Sequence, residues 1–231
     1  MGEIFVLVEH RQGQIRDITY EVLVAGEKLA SQQGASVTAI LLGHNVKNFA
    51  EELAPRASKV VVVEDAQLEH FNSIPYQKVL STLIAKYQPL LTLIGHTAFG
   101  MDLAPSLSVE MGFPLVTDCI GLSLEEKRLK AVRSIYGGKV NANLSVRESK
   151  GYVATVRPGV FSPGPPIEKK EGIVMESSPF QGTIDVKKFI EYIEAPVTGE
   201  DITQAEVIIS VGQGIGGPEH IPIIEEVAKT L

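Results

Sequence analysis

Short apolar runs alternate along the first half of the chain with stretches whose apolar side chains recur every three or four positions. Ile4-Phe5-Val6-Leu7-Val8 has no polar alternation and reads as a buried strand. Asp17 is placed to cap a helix carrying Ile18, Val22, Leu23, Gly26 and Leu29 and ending near Gly34. Ser36 to Leu42 reads as the next strand, followed by a short helix around Val46 to Leu53 and the strand Val60 to Val63. Pro75 sits where a first helical residue would, and Val79, Leu80, Leu83, Ile84 and Tyr87 continue that helix. Leu90 to Ile94 is a fourth strand, Gly95 to Gly100 a turn, and Met101 to Met111 a helix. Uniformly apolar strands separated by helices imply a parallel sheet covered on both faces, so residues 1 to about 120 read as a doubly wound α/β unit.

The pattern then changes. Ala131 to Tyr136, Lys139 to Val146 and Tyr152 to Arg157 read as strands with no helices between them, and Gly137-Gly138 as a hairpin turn. They are expected to extend the sheet in antiparallel fashion. Val160 to Pro179, with Pro163, Pro165, Pro166 and Pro179 following Pro158, is a poor candidate for regular structure and reads as an arm or linker. After a break near Pro196 to Gly199 the pattern restarts. Glu206 to Val211 reads as a strand, Gly212 to Gly217 as a glycine-rich turn, and Pro218 opens a helix through Ile223, Ile224 and Val227. A strand so apolar needs neighbours and cover, so this unit is expected to begin a further domain or to dock on something else. The organisation expected is 1–160 as an α/β domain, 161–199 as arm and linker, and 200–231 as the start of a second, truncated domain.

Composition narrows the function. The 231 residues are 44% hydrophobic and 21% charged, enough apolar surface for a globular core. A net charge of −7 lacks the footprint of a nucleic-acid or anionic-membrane binder. One cysteine, Cys119, excludes an internal disulfide and a zinc site built on cysteines. A reducing, cytoplasmic location is the natural expectation. The apolar runs are too short to cross a bilayer, and the N-terminus lacks the basic segment of a signal peptide.

Two turns carry candidate chemistry. Gly212, Gly214 and Gly217 fit G-x-G-x-x-G between an expected strand and a helix. Such glycines let backbone N–H groups approach a pyrophosphate at a helix N-terminus, and they equally suit a tight turn with no ligand. Gly95-His96-Thr97-Ala98-Phe99-Gly100 lies outside a strand's carboxyl end, where open α/β sheets bind ligands. A plain turn is favoured there over a ligand in this subunit, and a partner contact over either. His10, His44, His70 and His220 have no metal-ligand spacing, and Cys119 reads as core. Asp118, Arg133 and Arg157 lie among strands but assemble into no catalytic centre, which argues against a self-contained hydrolase.

Taken together, several segments resemble the alpha subunits of electron transfer flavoproteins. They are Ile4 to His10 with the Glu21 to Ala30 helix, Gly95 to Pro105, Pro114 to Asp118, Arg133 to Lys139, Thr155 to Gly159 and Val211 to Glu219, in order along nearly the whole chain. The resemblance implies an N-terminal α/β domain packed on a beta subunit, and a C-terminal Rossmann-like domain, begun at the Gly212 turn, that holds FAD without a covalent bond. It carries over Gly212, Gln213 and Gly214 as FAD contacts, with most of the FAD site expected beyond residue 231, and implies AMP or a second FAD in the beta subunit. It also implies an electron carrier rather than a self-contained enzyme, with acyl-CoA dehydrogenase-type flavoproteins as partners. Two positions depart from the family, which usually has arginine at Gln213 and at Ser106. Glutamine can donate a hydrogen bond near a flavin but brings no charge. The alternative, from another class, is a nucleotide-binding interaction module without redox activity.

Overall fold

Five parallel apolar strands leave no polar face, so each must be covered on both sides, and the helices do that. A computed structural model describes residues 2–126, 128–164, 172–184, 186–193 and 205–230. In chain order the elements are β1 (Glu3–Leu7), β2 (His10–Arg11), β3 (Gln14–Ile15), α1 (Asp17–Gln33), β4 (Ser36–Gly43) and α2 (Lys47–Leu53). Then come β5 (Lys59–Glu64), α3 (Ser73–Tyr87), β6 (Leu91–Gly95), α4 (Ala98–Met111) and β7 (Leu115–Glu125). They end with β8 (Arg128–Ile135), β9 (Val140–Ser145), β10 (Tyr152–Val156), β11 (Gly172–Glu176) and α5 (Ile221–Thr230). The chain divides into two compact units, Met1–Phe189 and Ile190–Leu231.

The first unit is built on a nine-stranded sheet of order β11-β5-β4-β1-β6-β10-β7-β8-β9. All neighbours are parallel except β7–β8 and β8–β9, the antiparallel extension. This is the doubly wound, mostly parallel α/β fold expected. Ile4 and Val6 of β1 face α1 and α2, while Phe5 and Leu7 face α3 and α4. Strand order reverses between β1 and β6, which places a switch point at their carboxyl ends.

The structure corrects several expectations. Tyr152–Val156 does not join the antiparallel extension. It returns to the middle of the sheet, parallel to both β6 and β7, because all five residues are buried and need cover on two faces. The proline-rich stretch contains a strand, β11, which hydrogen-bonds to β5 and packs Val174 onto the α3 side. Pro165, Pro166 and the break at 196–199 lie outside the described residues. Arg16, not Asp17, occupies the cap position of α1, with Asp17 as the first helical residue beside the positive helix end. Asn72 caps α3 by accepting the Ile74 N–H, which makes Pro75 the third helical residue. Thr97 caps α4, which starts three residues before the expected Met101. A small hairpin, β2–β3, turns at Gln12 and Gly13 with φ of 50° and 77°.

In the second unit the expected strand 206–211 is not formed. A strand exists by pairing its backbone with a neighbour, and no described segment pairs with this one. Val207, Ile208 and Val211 are 61%, 57% and 44% exposed. The glycine-rich turn and the helix do form, the latter as a short 3₁₀ turn over Pro218–His220 leading into α5. Both need only local hydrogen bonds.

Candidate functional site

The carboxyl ends of β1 and β6 open on a cavity of about 440 Å³ whose lining includes Glu9, Arg11, Arg16, Asp17, Glu21 and Thr97. Thr97 leads α4, its Oγ1 accepting the Gly100 N–H at 3.4 Å and donating to Glu9 Oε2 at 2.7 Å. The Glu9 backbone is held by Thr19, whose Oγ1 accepts the Glu9 N–H and donates to the Glu9 carbonyl. Burial raises the Glu9 pKa, with the Thr97 hydrogen bond and the Arg16 charge acting against it. A carboxylate of the chain itself thus lies beside the α4 N-terminus.

Next to this cavity, the ends of β6 and β10 and a kink inside β7 bring together residues far apart in sequence. Arg157, just after β10, donates from Nε to Asp118 Oδ1 at 2.8 Å and from Nη2 to Oδ2 at 2.6 Å. The Asp118 N–H donates to Thr155 Oγ1 at 2.9 Å, and the same oxygen lies 2.9 Å from His96 Nδ1. His96 Nε2 stands 3.9 Å from Asp118 Oδ1. Backbone bonds lock the group: the His96 N–H donates to Val156 O, and the Arg157 N–H to Cys119 O. Asp118 has φ of 59°, a left-handed conformation uncommon outside glycine, where the β7 ladder shifts register. The Arg157 hydrogen bonds hold the Asp118 carboxyl below the usual range, and the charges of His96, Arg157 and Arg133 add to this.

Arg133 pairs across the sheet with Cys119, and its Nε is shut off from solvent with no acceptor among the described residues. Cys119 is core, as expected, and burial pushes its thiol up to about 12. Glu21, only 8% exposed, accepts the Gly159 N–H at 2.8 Å and the Phe161 N–H at 3.4 Å, fixing the turn that follows Arg157. No group of three or more metal-ligating side chains exists among the described residues.

The expected FAD contacts lie in the second unit. Gly212 precedes a 3₁₀ turn over Gln213–Ile215, and all three of Gly212, Gln213 and Gly214 are exposed. A Cβ on Gly212 or Gly214 would meet nothing within 4 Å, so the backbone there is open to close approach, as a dinucleotide phosphate requires. The turn therefore fits one fragment of a dinucleotide site. The Glu219 side chain packs against Gly217 at the far end of the turn.

Asp118, Arg133 and Arg157 were visible in the sequence as separate charges. What assembles them, with His96 and Thr155, is the insertion of β10 between β6 and β7. The one available signal was that His96, Thr155 and Arg157 all sit at the carboxyl ends of apolar runs. Glu9, at the end of the first such run, was open to the same argument.

The chain matches the family model described as "Electron transfer flavoprotein domain" over residues 4–179. It is 31% identical to the electron transfer flavoprotein subunit alpha of Thermoanaerobacterium thermosaccharolyticum, over 99% of this chain and 70% of that one. It is 33% identical to the subunit alpha of Megasphaera elsdenii, over 99% and 69%. It is 31% identical to the protein named lactate dehydrogenase (NAD(+),ferredoxin) subunit LctC of Acetobacterium woodii, over 99% of this chain and 55% of that one. On the matched domain and on these likenesses across its length, the chain belongs to the electron transfer flavoprotein family, among the alpha subunits.

Proposed function

We propose that this chain pairs with a beta subunit and carries electrons through FAD, between flavoprotein dehydrogenases of the acyl-CoA dehydrogenase type and a downstream acceptor. The observation that carries the reading is the likeness to alpha subunits over 99% of the chain. FAD, when bound, supplies the one- and two-electron chemistry. This chain's contribution to its binding is the Gly212-Gln213-Gly214 turn, whose open backbone suits a phosphate. Gln213 can donate a hydrogen bond there without adding charge. The first unit serves as scaffold and partner surface, and AMP or a second FAD belongs to the beta subunit. The relative named as a lactate dehydrogenase subunit makes a 2-hydroxy-acid dehydrogenase the second electron donor to try.

The test is to co-purify the full chain with its beta subunit and record the visible spectrum. A yellow heterodimer, bleached anaerobically by an acyl-CoA dehydrogenase with its substrate, is the expected result. A colourless complex would favour the nucleotide-binding module without redox activity. Failure of the two chains to associate would overturn the subunit assignment. Bleaching only by a 2-hydroxy-acid dehydrogenase would replace the electron donor and keep the rest.

A further inference from the structure

The rim cluster has more cationic capacity than its own carboxylate uses. A guanidinium has five N–H donors. Arg157 spends two on Asp118, and the other three have no acceptor among the described residues. Its side chain is 36% exposed, against 20% for Asp118. A second guanidinium, Arg133, lies close enough to act on the same carboxylate and has an unmet buried donor of its own. Two arginines thus share one aspartate, in a chain whose net charge is −7.

The guanidinium is also held in place before any partner arrives. The bidentate bond fixes its plane, the Arg157 N–H is tied to β7, and Glu21 clamps the Pro158-Gly159 turn that follows. Side-chain ordering is a large part of what association costs, so a pre-oriented arginine is the kind of residue that anchors an interface. The neighbouring cavity decides which anion fits. Glu9, Asp17 and Glu21 line it with Arg11 and Arg16, so three carboxylates outweigh two guanidiniums there, and the small negative excess opposes a doubly charged phosphate more than a single carboxylate. A free small anion would also need an enclosure that an open rim does not offer.

The geometry points to Arg157, oriented by Asp118, as an anchor for a carboxylate side chain of the beta subunit. This rests on the alpha-subunit reading. Asp118 acts as a positioning residue: it sets the plane of the guanidinium and leaves its outer edge to the partner.

The experiment measures heterodimer dissociation constants over a series of salt concentrations, for wild type, Arg157→Gln, Arg157→Lys, Asp118→Asn and the Arg157→Gln/Asp118→Asn double variant. Thermal melts of each chain report folding separately. Arg157→Gln is expected to weaken association about tenfold or more and to flatten its salt dependence. Arg157→Lys, which keeps charge but not the fork, should fall between. Asp118→Asn should weaken association less than Arg157→Gln, and the double variant no more than Arg157→Gln alone. Wild-type association by Arg157→Gln overturns the proposal. So does equal weakening by Arg157→Gln and Asp118→Asn in step with their melting points, which marks an internal pair only. Competition by inorganic phosphate at constant ionic strength, lost in Arg157→Gln, overturns it in favour of a free-anion site. Wild type failing to bind the beta subunit at any salt overturns both this and the alpha-subunit reading.

Discussion

Leu91–Gly95 with its turn and α4, and residues 206–230, share one pattern: an apolar run, a glycine-rich turn, an amphipathic helix. In the first unit the run is β6, paired on both edges with β1 and β10, with Leu91 and Leu93 fully buried. In the second, the same kind of run makes no ladder and none of its described side chains is buried. The helices form in both places, because a helix closes its hydrogen bonds within itself. A strand does not, so its existence is a property of its neighbours. The glycines differ in the same way. Gly100 packs against the carbonyl of Gly95, where a Cβ would collide with backbone, whereas Gly214 faces open space.

Matched substitutions test this contrast. The largest effect is expected from Gly100→Ala, which forces α4 off the end of β6 and should unfold the first unit or lower its melting point steeply. Gly214→Ala should leave melting unchanged and reduce only flavin retention, if the proposed role of the turn is right. A next pair is Leu93→Ala against Ile208→Ala. The first leaves a cavity in the core and should cost ~2–5 kcal/mol in urea unfolding, while the second should stay within about 0.5 kcal/mol. Equal costs for the two would show that 206–211 is buried in solution.

Smaller effects concern the charges. Asp118→Asn should cost about 1 kcal/mol at neutral pH, since the pair is partly solvated. The folded-state pKa of Asp118 lies below its ordinary 3.8, so its stabilising contribution is present above that value. It is lost as pH falls through the folded value, so wild type and Asp118→Asn should converge there in acid melts. In the second unit, Gln213→Arg should raise the first one-electron potential of bound FAD. A shift on the order of 59 mV, a tenfold change for one electron, is expected by spectroelectrochemistry at equal FAD content. No shift would mean that Gln213 only shapes the turn. The smallest effect is Glu9→Gln. Burial holds the Glu9 pKa above its ordinary 4.5, so its ionised form costs stability above the folded value and nothing below 4.5. Glu9→Gln should therefore melt at or slightly above wild type at pH 7, and the gap should close in acid.

The pattern of apolar positions determined the α/β class, the parallel core strands and the helices between them. A five-residue apolar run flanked by amphipathic segments has few other ways to bury itself. It also showed Cys119 as core and Gly34 as the end of α1, where φ is 60°. Three things were decided only in the tertiary structure. Tyr152–Val156 chose the centre of the sheet over its edge, because periodicity records how many faces are buried and not which strands lie alongside. Gly172–Glu176 became a strand because the edge of β5 offered hydrogen bonds, while 206–211 pairs with no described segment and forms none. The cluster of His96, Asp118, Thr155 and Arg157 followed from the first of these choices. Its members come from the ends of β6 and β10 and from the register shift inside β7, and only the order of strands in the sheet makes them neighbours.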